Sequence, residues 1–325
     1  MIYFECIGAK ENRVQFTLQR IDEWVNSVAL SNILKSFGAS MPPNMNISES
    51  VDWLLKFSDE WDYRKKQQSA KDIKTNEAAR WLINDNEITT EQAHAVMNGI
   101  AELGLAGVDV PLRRDYDYVV ALGGARLSSL LRPQYAHKVI SKFSINPRAV
   151  IMLSAFRPIA DSERETTDTY AKGAKTEFDL ICRGAEQCFG VSKYHEERHD
   201  DSNINSSWAI RTYENEMPII SISGPSTEPS IRRANSADTY KFFIQKHNVE
   251  KGSKLLLITS QIYVPYQQLE AIRTLAIPHD IVVETIGFPR DESRQIKGMQ
   301  QPSNYLQEIR STIQAMGRLI SDINW

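Results

Sequence analysis

The feature that most constrains this chain is the row of short, β-rich apolar runs that begins after Asp115. They are Tyr118-Val119-Val120-Ala121-Leu122, Ala149-Val150-Ile151-Met152-Leu153, Pro218-Ile219-Ile220-Ser221-Ile222, Lys254-Leu255-Leu256-Leu257-Ile258 and Ile281-Val282-Val283-Glu284-Thr285-Ile286. Four of the five are almost continuously apolar, so they lack the polar side that a half-exposed strand would show. Strands covered on both faces belong to parallel sheets crossed by helices. The segments between them carry helical stripes: Tyr170, Ala174, Phe178, Ile181, Ala185 and Phe189 before Gly190, then Leu269, Ile272 and Leu275, then Tyr305, Ile309, Ile313, Met316 and Ile320. Residues 113–325 are therefore expected to form an α/β domain: a doubly wound, mainly parallel, five-stranded sheet. The stretch 190–217 is polar and too long for a tight connection, and reads as an insertion with its own structure or a lid.

Residues 1–112 have a different texture and read as an all-helical region. Ile21, Trp24, Val25, Val28 and Phe37 fall near one face of a first helix, and Val51, Leu54, Leu55 and Trp61 near one face of a second. Residues 76–82 suggest a third. Thr89 and Gln92 have capping-box spacing at the start of a fourth, which ends before Gly104 as a left-handed cap.

Thirty-eight Lys and Arg against 41 Asp and Glu give a net charge of −3. That balance offers no global case for nucleic acid or an anionic membrane. The opening residues show no basic region leading into a long apolar run, and no stretch approaches the roughly 18 apolar residues of a membrane span, so a cytoplasmic location without a membrane partner is expected. The three cysteines, Cys6, Cys182 and Cys188, fit no disulfide framework or zinc ribbon.

In parallel α/β sheets ligands bind beyond the carboxyl ends of the strands, where loops and helix N-termini present N–H groups. After the first run comes Gly123-Gly124-Ala125-Arg126, whose missing Cβ atoms would let backbone approach an anion that Arg126 could clamp. After the second come Ser154 and Arg157. After the third comes a hydroxyl-rich stretch and then Arg232-Arg233-Ala234-Asn235-Ser236-Ala237-Asp238. After the fourth come Thr259, Ser260 and Tyr263. The set suits a small anionic ligand such as a nucleotide, and no phosphate loop, nucleophile elbow or Gly-x-Gly-x-x-Gly fingerprint accompanies it.

A competing motif, His195-Glu196-Glu197-Arg198-His199, has the His-Glu-x-x-His spacing of zinc hydrolases. Its charged variable positions and flanks without amphipathic pattern argue against a buried zinc helix, and the expected site contains no metal.

Residues 116–286 resemble the DUF218 family of YdcF-like proteins. The resemblance rests on Val119-Val120-Ala121-Leu122-Gly123-Gly124, on Arg132 and Ala136 in the following helix, on Glu177 at a helix start, on Asn235-Ser236-Ala237-Asp238, and on Thr259-Ser260 closing a strand. It departs where Ser154-Ala155 replaces a Ser-Gly-Gly turn, and where Tyr263 stands near a position at which the family carries a His. It implies a Rossmann-like domain that takes a nucleotide or S-adenosylmethionine, with no cofactor otherwise fixed. Two functions follow as expectations. In the first, the protein is a hydrolase or transferase in which Gly123, Gly124, Ala125, Arg126, Arg132, Ser154, Arg157, Thr259, Ser260 and Tyr263 bind a nucleotide-like or phosphorylated substrate. Glu177, Asp238 and Asn235 supply its catalytic groups. In the second, the protein is a non-catalytic sensor of such a ligand. A homo-oligomer is compatible with either.

Overall fold

The structure is a computed structural model that describes residues 1–6, 10–67, 82–289 and 300–323. The chain divides into two compact units, each discontinuous in sequence. One gathers the described residues within Met1–Val108, Gln261–Arg273 and Pro289–Trp325, and the other gathers Asp109–Ser260 and Thr274–Phe288.

The second unit is built on a sheet of seven strands: β1 (Tyr118–Leu122), β2 (Ala149–Ser154), β3 (Tyr194–His199), β4 (Trp208–Tyr213), β5 (Ile219–Ser223), β6 (Lys254–Ser260) and β7 (Val282–Phe288). Their order across the sheet is β3-β4-β5-β2-β1-β6-β7. All five apolar runs are strands, and β5, β2, β1, β6 and β7 pair in parallel. The expected count of five is corrected to seven, because β4 pairs antiparallel with β5, and β3 antiparallel with β4. Residues 190–217, expected as an insertion or lid, supply these two strands. Edge strand β3 is exposed along most of its length, so burial imposes no apolar pattern on its sequence.

The helices of this unit follow the connections. After β1 comes α6 (Ser128–Phe143), which packs on β1, β6 and β7; after β2 come α7 (Asp161–Thr167) and α8 (Glu177–Phe189); after β5 comes α9 (Ser236–His247). Helices α6 and α8 pack closely on each other. They meet at Gly184, where a Cβ would lie 2.2 Å from the Ser129 carbonyl oxygen, so only glycine permits this approach.

The other unit is helical. Its elements are α1 (Lys10–Val25), α2 (Val28–Ser36), α3 (Ile47–Phe57), α4 (Tyr63–Lys66), α5 (Thr90–Gly99), α10 (Val264–Ala271) and the central α11 (Pro302–Ile323), against which α1, α3, α5 and α10 pack. The first expected helix is split in two, because the Ser27 side chain caps α2 and leaves Val28 exposed. The Thr89–Gln92 capping box starts α5, and Gly104 takes the left-handed conformation beyond it. Trp24 and Trp61 are fully buried. Of the helix expected over 76–82, all but Leu82 lies outside the described residues. Among the described residues no helix is long and apolar enough to cross a membrane.

Candidate functional site

The direction of strand addition reverses at β1. From β1 the chain builds outward through β2 to β5, then returns to place β6 and β7 on the other side. The loops leaving β1, β2 and β6 therefore diverge at one point on the carboxyl edge, the place where parallel α/β sheets open a crevice.

The glycine pair stands at that point, and the protein's own side chains pack against it. A Cβ on Gly123 would lie 2.6 Å from Glu177 Oε1, 2.9 Å from the Leu153 carbonyl oxygen and 2.9 Å from Ser154 Cβ. A Cβ on Gly124 would lie 2.9 Å from Arg132 Nη1 and 2.9 Å from Ser128 Cβ. The Gly123 N–H donates to Leu153 O at 2.5 Å, and the Gly124 N–H donates to Ser129 Oγ at 3.2 Å. These amides are committed to the fold and do not form a phosphate cradle. Ala125 continues the half-buried turn into α6.

Arg126 adopts a left-handed backbone, with φ of 55°, that is strained for a residue with a side chain. It is held on both sides: its N–H donates to Glu163 Oε1 at 3.2 Å, and its carbonyl accepts from the Tyr170 hydroxyl at 2.7 Å. Its guanidinium donates to Thr166 Oγ1 at 3.1 Å, and burial lowers its pKa.

Arg157 is buried and forked onto Glu163, with Nη1 to Oε2 at 2.7 Å and Nη2 to Oε1 at 2.9 Å. Its Nε donates to Glu177 Oε2 at 2.9 Å. Burial acts against the charge of Arg157, and the two carboxylates more than offset it, raising its pKa. Glu163 is fully buried. It also accepts from the Ala160 N–H at 2.9 Å. Its six-residue offset from Arg157 gives no local signal of this pairing. The network fixes Glu177, whose own N–H donates to Arg157 O at 2.9 Å, as the first residue of α8. Oxygen Oε2 is thereby taken up, while among the described residues no donor reaches Oε1, and the side chain is 13% exposed.

From α6, Arg132 reaches the ends of both β1 and β6: its Nη1 donates to Leu122 O at 2.9 Å and to Gly123 O, and its Nη2 donates to Ser260 Oγ at 3.2 Å. The structure thus brings Gly123, Gly124, Arg132, Ser154, Arg157, Glu177 and Ser260 together at one edge. Ser154 and Ser223 are register partners at the ends of β2 and β5. The hydroxyls of Ser154, Ser223 and Thr259 are all buried, and none has a hydrogen-bond partner among the described residues. Tyr263 lies in the helical unit, buried in a 3-10 turn over Gln261–Tyr263.

Asn235 and Asp238 follow β5 and form the capping box of α9. Asn235 Oδ1 accepts from the Asp238 N–H at 3.1 Å, and Asp238 Oδ2 accepts from the Asn235 N–H at 2.9 Å. Asp238 also pairs with Arg232 at 2.5 Å and accepts from Thr227 Oγ1 at 2.7 Å. Burial pushes the Asp238 carboxyl up, but Arg232, the Asn235 amide and Thr227 outweigh it and hold the pKa below the usual carboxylate range. Its oxygens serve to fix the loop.

His195, Glu196 and His199 lie on β3, not on a helix. Four residues of strand separate the two imidazoles by about 13 Å, against about 3.3 Å between two nitrogens bound to one tetrahedral zinc. Strand geometry therefore removes the zinc-hydrolase alternative. His199 instead stacks on Trp208, with ring centroids 6.3 Å apart.

Residues 8–104 match the family described as the Rv3785 N-terminal domain. Over 321 residues the chain is 32% identical to the proteins Rv3785 and MT3893 of Mycobacterium tuberculosis, strains H37Rv and CDC 1551, and Mb3814 of Mycobacterium bovis. The similarity covers 93% of this chain and 89% of each of those proteins. No solved structure matches. These matches correct the resemblance to DUF218 over residues 116–286: the matching family model is that of the Rv3785 N-terminal domain, the relatives are Rv3785 and its counterparts, and none of these matches carries that resemblance. The motifs that suggested it are short glycine, serine and threonine turns, which the carboxyl edge of any parallel sheet favours. With the resemblance goes the reason for naming S-adenosylmethionine.

Proposed function

The chain belongs to the Rv3785 family, and on that premise we propose that its α/β unit is Rossmann-like and doubly wound and binds a small nucleotide-like or phosphorylated molecule. The ligand sits on the carboxyl edge of the sheet, over the ends of β2, β1 and β5. One observation carries this reading: among the described residues the buried hydroxyls of Ser154, beside Gly123, and of Ser223, its register partner, have no hydrogen-bond partner, and Glu177 turns one oxygen towards Gly123. A buried hydroxyl without a partner costs about 1–3 kcal/mol, which a bound polar molecule relieves.

The reading is one of binding. Asp238 and Asn235 are occupied in capping α9, whereas Glu177 keeps one oxygen directed at the glycine pair. The anionic part of the ligand would lie towards Arg126 and Arg132, which flank the loop after β1.

The test is thermal denaturation of the full chain with adenosine 5′-monophosphate, ribose 5-phosphate and inorganic phosphate. A ligand at a hundred times its Kd adds about 2.7 kcal/mol of stability, a shift of several degrees. If Ser154→Ala lowers that shift in proportion to the lost affinity, the edge is the site. An unchanged melting temperature with every compound contradicts the proposal.

A further inference from the structure

We propose that Glu177 is a specificity-determining acceptor for sugar hydroxyls, so that the ligand is a ribose-bearing nucleotide recognised through its vicinal diol. This inference rests on the binding site proposed above and deepens it.

The Glu177 carboxylate is oriented by the protein itself. Glu177 is fixed at its backbone by Arg157 O and at Oε2 by Arg157 Nε, both at 2.9 Å, and Arg157 is itself locked by two bonds to fully buried Glu163. Oxygen Oε1 therefore points in one direction without further ordering cost, towards the Cβ-less face of Gly123, 2.6 Å from where a side chain would begin. Preorganised acceptors of this kind discriminate well, because their groups are already ordered before the ligand arrives.

The N–H groups of Gly123, Gly124 and Arg126 are all donated within the protein. The point beside Gly123 therefore presents an acceptor and the Ser154 hydroxyl, with the Ser223 hydroxyl one strand further along the edge, and both hydroxyls can donate and accept. A phosphate at this point would face Glu177 as a like charge. An ammonium group would find that charge already compensated by Arg157. A neutral hydroxyl matches: it donates to Oε1 in a short, charge-assisted bond and accepts in turn from a serine. Two neighbouring hydroxyls, as on ribose, can use both features together, in the manner by which a carboxylate in dinucleotide-binding folds takes the ribose hydroxyls.

The experiment is isothermal titration calorimetry of the full chain with adenosine 5′-monophosphate and with its 2′,3′-dideoxy analogue, using wild type and Glu177→Gln. Loss of a hydrogen bond to a charged group weakens binding by about tenfold to a hundredfold. The dideoxy analogue is expected to bind wild type that much more weakly, and Glu177→Gln is expected to bring the two compounds close together. The wild-type comparison stands even if the variant fails to fold. Equal affinity of the two compounds for wild type overturns the role of Glu177 and leaves the site itself intact. Binding of neither compound removes the site and the inference together.

Discussion

The ends of β2 and β5 carry the same chemistry on paper and use it differently in three dimensions. Each is followed by an arginine and by a carboxylate in the first turn of a later helix, Glu177 on α8 and Asp238 on α9. At β5 the network closes on itself: Arg232, Thr227 and Asn235 occupy the Asp238 carboxylate, and the group caps its helix. At β2 the buried Arg157–Glu163 pair does the holding, and Glu177 is left with one committed oxygen and one directed at Gly123. The difference teaches that a polar cluster at a strand end becomes a candidate site only when another pair of charges fixes the loop.

Removing the arginine at each end is the sharpest way to break this comparison. Arg157→Leu leaves Glu163 charged and fully buried, and should destabilise the fold by about 3–5 kcal/mol. Arg232→Leu, at a side chain 31% exposed, should cost about 1 kcal/mol. Urea denaturation of both variants checks the order, and equal losses would show that both loops are held alike.

Alanine at the two glycines probes the same contrast at smaller scale. Gly123→Ala places a Cβ against the Leu153 carbonyl and Glu177, and overpacking of this kind costs about 1–3 kcal/mol. At Gly224 the nearest atom, Phe242 Cβ, is 3.0 Å away and belongs to a side chain, so Gly224→Ala should lose less, as thermal denaturation would show.

Asp238→Asn should cost about 1 kcal/mol at neutral pH, the worth of a helix cap. Because the folded pKa of Asp238 is lowered, its contribution is present above the unfolded value of about 3.9 and lost as pH falls through the folded value. The gap between wild type and variant should therefore close below about pH 4. A gap that persists at pH 2 would mean that the charge is not what Asp238 contributes.

The smallest effect is a missing reaction. Burial pushes the Cys182 thiol, on α8 beneath this end of the sheet, up to about 12, so iodoacetamide at pH 8 should leave it unmodified in the native protein and label it on unfolding. Rapid native labelling, read by mass spectrometry, would show that α8 does not seal this face.

The parallel heart of the sheet was legible because burial on both faces forces apolar runs, and each of the five runs is a strand. Strands β3 and β4 were not, because an edge strand such as Tyr194-His195-Glu196-Glu197-Arg198-His199 needs no apolar face. The turns after β1, β2, β5 and β6 marked where polar groups would gather. Their division of labour was hidden, since it depends on Glu163 reaching Arg157 and on Arg132 spanning β1 and β6. The Asn-x-x-Asp spacing of Asn235 and Asp238 is itself a capping signature, and the structure places both residues in that role. The family resemblance failed for a related reason: strand-end motifs report the shape of a sheet edge more than ancestry.

The β2 end is assigned to binding and the β5 end to support, and titrating adenosine 5′-monophosphate into wild type, Glu177→Gln and Asp238→Asn by calorimetry separates the two roles. Binding to wild type is expected, with an affinity at least about tenfold weaker in Glu177→Gln and an affinity within about twofold of wild type in Asp238→Asn despite its lower stability. Loss of binding in Asp238→Asn with full affinity in Glu177→Gln would contradict that assignment.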